Sequence, residues 1–118
     1  MKDKKGANLL ERKLEKNFQR DVIKDIKKRF KGSIVCKMDA NYIQGIPDLL
    51  VLYEDKWATL ECKRSANSPR RPNQEHYVKV MDGMSFSRFI YPENKESVLD
   101  ELQQSFGIGR DARLPKRK

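Results

Sequence analysis

The residues best equipped for chemistry in this 118-residue chain stand in two short stretches, Gly45-Ile46-Pro47-Asp48 and Glu61-Cys62-Lys63. Between them, residues 48–53 and 57–63 read as two strands joined by the polar Glu54-Asp55-Lys56, with Pro47 at the start of the leading strand, where its missing N–H removes no ladder bond. If Glu54-Asp55 is a two-residue turn, Tyr53 faces Lys56, and counting outward sets Asp48 directly across from Glu61. Opposed residues project to one face with β-carbons roughly 4.5 to 5.5 Å apart, close enough for two carboxylates to share a cation. Lys63, two positions beyond Glu61, joins that face. A four-residue loop keeps the register, whereas a three-residue loop without a bulge turns Glu61 to the other side.

Two carboxylates forced together repel, which raises one pKa; a divalent cation removes the conflict. A hard cation such as Mg²⁺ prefers oxygen ligands and keeps waters, as phosphodiester hydrolysis requires. The bland alternative is a local ion-pair cluster in which Lys63 neutralises Asp48 and Glu61. His76 is the single histidine, so sites needing two imidazoles are excluded, and Cys36 and Cys62 form neither a CxxC pair nor a disulfide framework. Chemistry must then run on carboxylates, lysines or hydroxyls.

The elements that must carry these residues follow from periodicity. Leu10, Leu14, Phe18, Val22, Ile26 and Phe30 recur every four positions without proline or glycine, which predicts an amphipathic helix over residues 9–30, stopped at Gly32. Its other faces carry Lys13, Lys16, Arg20, Lys24, Lys27, Lys28 and Arg29. Residues 33–38 read as a first strand, ahead of the hairpin. The loop at residues 64–72 holds two prolines and three arginines, Arg64, Arg70 and Arg71, donors suited to phosphate. Asn73 is expected to cap a helix to about Met81, with Gly83 ending it; residues 86–91 read as a fourth strand; Asn94 is expected to cap a last helix bearing Val98, Leu99, Leu102 and Phe106. The order αβββαβα predicts an α/β fold with a mixed sheet flanked by helices. Residues 1–8 read as a flexible basic arm, 9–106 as a single domain and 107–118 as a basic tail.

Composition narrows the partners. Lys plus Arg number 26 against 17 Asp plus Glu, a formal net charge of +9, and mean hydropathy is −0.86. A polyanionic partner follows, nucleic acid before an anionic membrane, because the helix has no Trp-rich apolar face and needs its stripe for the core. No apolar run approaches the ~20 residues that span a bilayer, and the N-terminus has no secretory pattern, so an intracellular, soluble protein is expected, in the cytoplasm or in a host cytoplasm if viral.

Gly45-Ile46-Pro47-Asp48, the apolar strand and Glu61-Cys62-Lys63 together resemble the G-x-P-D and E-x-K elements of the PD-(D/E)xK nuclease superfamily, and within it the VRR-NUC and small phage Holliday-junction-resolvase-like members. The αβββαβ order resembles that superfamily's restriction-endonuclease-like core. The resemblance implies a Mg²⁺-dependent endonuclease of branched DNA, with Mn²⁺ substituting, that leaves 5′-phosphate and 3′-hydroxyl ends and pairs as a homodimer. It implies Asp48, Glu61 and the Cys62 carbonyl as metal ligands and Lys63 as the residue orienting water and stabilising transition-state charge. A first-helix glutamate joins them, Glu15 or its rival Glu11, and Gln74 stands where relatives carry a glutamine, with His76 as a weaker base candidate. Arg64, Arg70, Arg71, Arg20 and Lys24 are then expected on backbone phosphates. The rival from another class is a catalytically silent nucleic-acid-binding module on the same fold.

Overall fold

The computed structural model describes residues 2–107, with side chains from Leu9 onward; the basic tail at 108–118 lies outside the described residues. Helix α1 spans Lys2–Arg29, so residues 2–8, expected as an arm, continue the helix instead. It is followed by β1 (Ile34–Lys37), β2 (Leu49–Tyr53), β3 (Lys56–Cys62), α2 (Pro72–Met84), β4 (Ser87–Ile90) and α3 (Lys95–Phe106). The chain leaves α1 through Gly32, whose φ of +90° is a conformation a side chain would strain. Two helix boundaries differ from expectation. Pro72 opens α2 at a position where its fixed φ suits a first turn, and the Gln74 side chain accepts the Arg71 N–H at 3.1 Å, so Asn73 lies inside the helix. Gly83 also stays helical, and the turn closes at Ser85, whose N–H donates to the Met81 carbonyl at 2.9 Å.

The strands form one sheet in the order β1-β2-β3-β4, with β4 parallel to β3 and the other pairs antiparallel. Crossover through α2 produces that parallel pair. In the central hairpin Tyr53 pairs with Lys56 and Leu49 with Leu60, the register expected from a two-residue turn, and Glu54 at φ +57° makes the corner.

One face of the sheet, with Leu49, Val51, Ala58, Leu60 and Cys62, packs against Val22, Ile26 and Phe30 of α1 and against Val98, Leu99, Leu102 and Phe106 of α3. Fully burying each Val, Leu, Ile or Phe side chain among them contributes about 1.5 to 3 kcal/mol. The α1 stripe divides where the sheet ends: Val22, Ile26 and Phe30 are fully buried, while Leu10 and Leu14 are 59% and 40% exposed. The opposite face lies under α2, where the Thr59 hydroxyl donates to Ser87 Oγ at 2.8 Å and reaches Met81 Sδ at 3.5 Å. From Ala58 to Cys62 strand β3 is therefore buried on both faces, Glu61 included, and Lys63 just beyond it is buried as well. Among the described residues, no helix is long and apolar enough to cross a membrane.

Candidate active site

Asp48 precedes β2 and is fixed by backbone and side chain together. Its carbonyl accepts the Met38 N–H at 2.7 Å, which ties it to β1. Its own N–H donates to Glu61 Oε1 at 3.2 Å, and its Oδ2 accepts the Cys62 N–H at 3.0 Å. Strand peptides alternate their direction, and because the Lys63 N–H donates to the Ile90 carbonyl of β4, the Cys62 N–H and carbonyl both point the other way, towards Asp48. The Cys62 carbonyl therefore shares the carboxylates' edge while its side chain fills the core.

The first turn of α2 completes the arrangement. Gln74 Nε2 donates to Glu61 Oε2 at 2.9 Å, and Gln74 Oε1 accepts the Lys63 ammonium at 2.8 Å, which leaves that ammonium 3.9 Å from Glu61 Oε2. One amide thus spans an acid and an amine and uses its donor and its acceptor at once.

Charge is crowded here. Glu61 is 3% exposed, and burial, reinforced by the neighbouring Asp48, pushes its carboxyl up to about 8 despite the opposing Lys63 charge. Burial also raises Asp48, against the Cys62 N–H and Lys63, and raises Glu15, where Asp48 and Glu11 add to the effect and Lys63 and Arg64 oppose it. The Cys62 thiol is held well up by burial and then by the Asp48, Glu61 and Glu15 charges. Three carboxyls therefore share a region with one buried amine, and their oxygens, with the Cys62 carbonyl, form a donor set suited to a hard divalent cation. Among the described residues, no three His, Cys, Asp or Glu side chains stand close enough together to form a group that could hold a metal ion.

These groups open onto a cleft of about 440 Å³. Glu15 and Glu11, the two helix candidates, both line it; Glu15 shares the field of Asp48 and Lys63, whereas Glu11 pairs with Arg64 at 3.5 Å. Arg64 and Arg71 also line the cleft. Arg70 does not: its guanidinium lies over the Phe89 ring, 4.1 Å from the centroid. Arg20 and Lys24 are exposed and lie outside the lining, and His76 is exposed with its ring against Tyr77. In their place the cleft takes Arg12 and Lys16, with Gln19. Part of their signal was in the sequence, because positions 12 and 19 stand three before and four after Glu15 and position 16 stands four after position 12.

The fold has a counterpart among solved structures. A VRR_NUC domain protein matches it with a TM-score of 0.50 at 16% sequence identity, over 73% of this chain and 88% of that one. No protein-family model and no curated protein matches the sequence. The chain has the VRR_NUC fold, and the α/β order with its mixed four-stranded sheet is the one the resemblance implied.

Proposed function

We propose that the protein is a divalent-metal-dependent endodeoxyribonuclease that recognises DNA by structure, with branched DNA such as a four-way junction as its substrate. The observation that carries this reading is the reciprocal hold of Asp48 and Glu61 across the hairpin, with the Lys63 ammonium fixed beside them by Gln74. Asp48, Glu61, Glu15 and the Cys62 carbonyl would hold Mg²⁺, or Mn²⁺ in its place; such an ion supplies positive charge to a phosphoryl oxygen and acidifies water. Lys63 adds a second cation where negative charge develops on the phosphate, already desolvated and oriented before substrate arrives. Arg12, Lys16, Arg64 and Arg71 contact flanking phosphates, and Arg20, Lys24 and Arg70 extend that track; such contacts position DNA without reading its sequence.

The exposed Leu9, Leu10 and Leu14 on α1 are suited to pairing two copies, an arrangement that would present two sites for paired cuts across a junction. Residues 9–106 constitute the nuclease domain in this reading, acting inside the cell.

Cleavage of matched junction, flap, linear duplex and single-stranded DNA, with Mg²⁺ and with EDTA, tests the proposal alongside folded Asp48→Asn and Lys63→Ala proteins. The expected result is metal-dependent cutting lost in Asp48→Asn and reduced to a slow residual rate in Lys63→Ala. Cutting that survives EDTA, or survives in Asp48→Asn, rejects this site. One observation favours a second reading, a silent nucleic-acid-binding module: both Glu61 oxygens already have donors, from the Asp48 N–H and the Gln74 amide. Tight binding without cutting under every condition would select it.

A further inference from the structure

A second recess of about 450 Å³ lies beside the cleft, between the 39–45 loop and the first turn of α2. Arg71 and Gln74 line both spaces, so the two adjoin across these side chains. Their chemistry differs. The cleft has five cationic side chains, whereas Arg71 is the only charged residue lining the recess among the described residues. The side-chain amides of Asn41, Gln44 and Asn73 stand around it, and none of the three is hydrogen-bonded to another described residue.

The walls are held in register. Gly45, at φ +91°, lies so close to α2 that a β-carbon on it would come 2.4 Å from the Asn73 β-carbon, so the loop backbone seats directly on the helix. The Tyr42 and Ile43 N–H groups both donate to the Asp39 carbonyl, at 3.1 and 3.3 Å, which folds the loop on itself.

A phosphate belongs in the cationic cleft. A recess walled by amides instead matches a group that offers donors and acceptors on one planar edge, which is the chemistry of a nucleobase. In a duplex the Watson–Crick edge is consumed by pairing, so only an unpaired base presents it. Building on the nuclease reading, we propose that this recess receives the unpaired nucleobase adjoining the phosphate held in the cleft. The site thereby selects DNA with an unpaired nucleotide at the cut, at a gap, flap or branch point, over continuous duplex.

Binding tests this apart from cleavage. Asp48→Asn protein is titrated with gapped duplexes carrying either an intact thymidine or an abasic residue at each position around the gap, read by fluorescence anisotropy. Loss of the base at one position is expected to weaken binding about tenfold, the effect of two lost hydrogen bonds. The Asn41→Ala, Asn73→Ala pair, or Gln44→Ala if that pair fails to fold, is expected to bring the ratio towards one. Equal binding of intact and abasic DNA at every position overturns the recess assignment, whether or not the wild-type protein cuts. A tenfold preference together with no cutting of either DNA by the wild-type protein in Mg²⁺ supports base capture and rejects the nuclease reading.

Discussion

The Lys63 ammonium bonds to the Gln74 carbonyl oxygen at 2.8 Å and stands 3.9 Å from Glu61 Oε2, so an amide, rather than the neighbouring acid, fixes the direction of the amine. Gln74 can do this because it begins a helix: its place at the third position of α2 brings the same oxygen onto the Arg71 N–H. The Arg71 backbone and the buried lysine are thus held by one side chain.

Removing that side chain should release Lys63 onto Glu61. In the proposed nuclease, Gln74→Ala is expected to lower kcat about 100-fold with little change in KM, since misplacement of a catalytic group costs rate more than binding. The double variant Gln74→Ala, Lys63→Ala should cut no more slowly than Lys63→Ala alone, because the two residues act as a unit. Additive losses in single-turnover kinetics would show that Gln74 acts independently of the lysine.

The pH dependence of stability follows from the crowded acids. Burial raises Glu61 from the usual 4.5 to about 8, and Asp48 and Glu15 move in the same direction. A carboxyl that holds its proton more tightly folded than unfolded contributes stability fully below the unfolded pKa and loses it as pH rises through the folded one. In chelator, the apparent Tm should therefore fall between about pH 4.5 and pH 8, and Glu61→Gln should flatten that fall. Adding Mg²⁺ or Mn²⁺ at pH 8 should recover the loss by binding only the folded state. A Tm that climbs steadily across the window in chelator contradicts the arrangement.

The two helix glutamates separate in a metal titration. Glu15 is raised by burial and by Asp48, whereas Glu11 is engaged with Arg64 at the rim. Glu15→Gln is expected to raise the Mg²⁺ concentration needed for half-maximal cutting by tenfold or more, on the order of losing one ligand or its support. Glu11→Gln should shift it by less than about threefold, close to the small worth of a surface ion pair. Calorimetry with Mn²⁺ reads the same order without relying on cleavage; the reverse order would make Glu11 the helix carboxylate.

The hairpin register was legible because it rests on one local feature, a Glu54-Asp55 turn between two apolar runs, and every opposed pair follows from it. The burial of Glu61 and Lys63 was not: alternation along β3 reads as one dry face and one wet face, and only tertiary packing of α2 covers the second. Periodicity likewise marks which face of α1 is apolar without showing where the sheet beneath it stops, so Leu10 and Leu14 look like core and are exposed. The same blindness along the helix axis hides which basic residues border the cleft: Arg12 and Lys16 line it, whereas Arg20 and Lys24, about two turns farther along α1, do not. Gly83 misled because nothing in its own type distinguishes a tolerated helical glycine from a stop.

That displacement along α1 is itself measurable. Each phosphate contact neutralised by a cation adds about 0.9 to the steepness of log K against log salt on duplex DNA. Arg12→Ala with Lys16→Ala should therefore reduce the slope by about two and weaken junction binding uniformly across sequences, since both side chains line the cleft that holds the acids. Arg20→Ala with Lys24→Ala, farther along the helix and outside the lining, should reduce it by less than about one. A large loss confined to the second pair would mean that the DNA track runs along the far half of α1, over the buried Val22 and Ile26 turn, and past the carboxylates rather than across them.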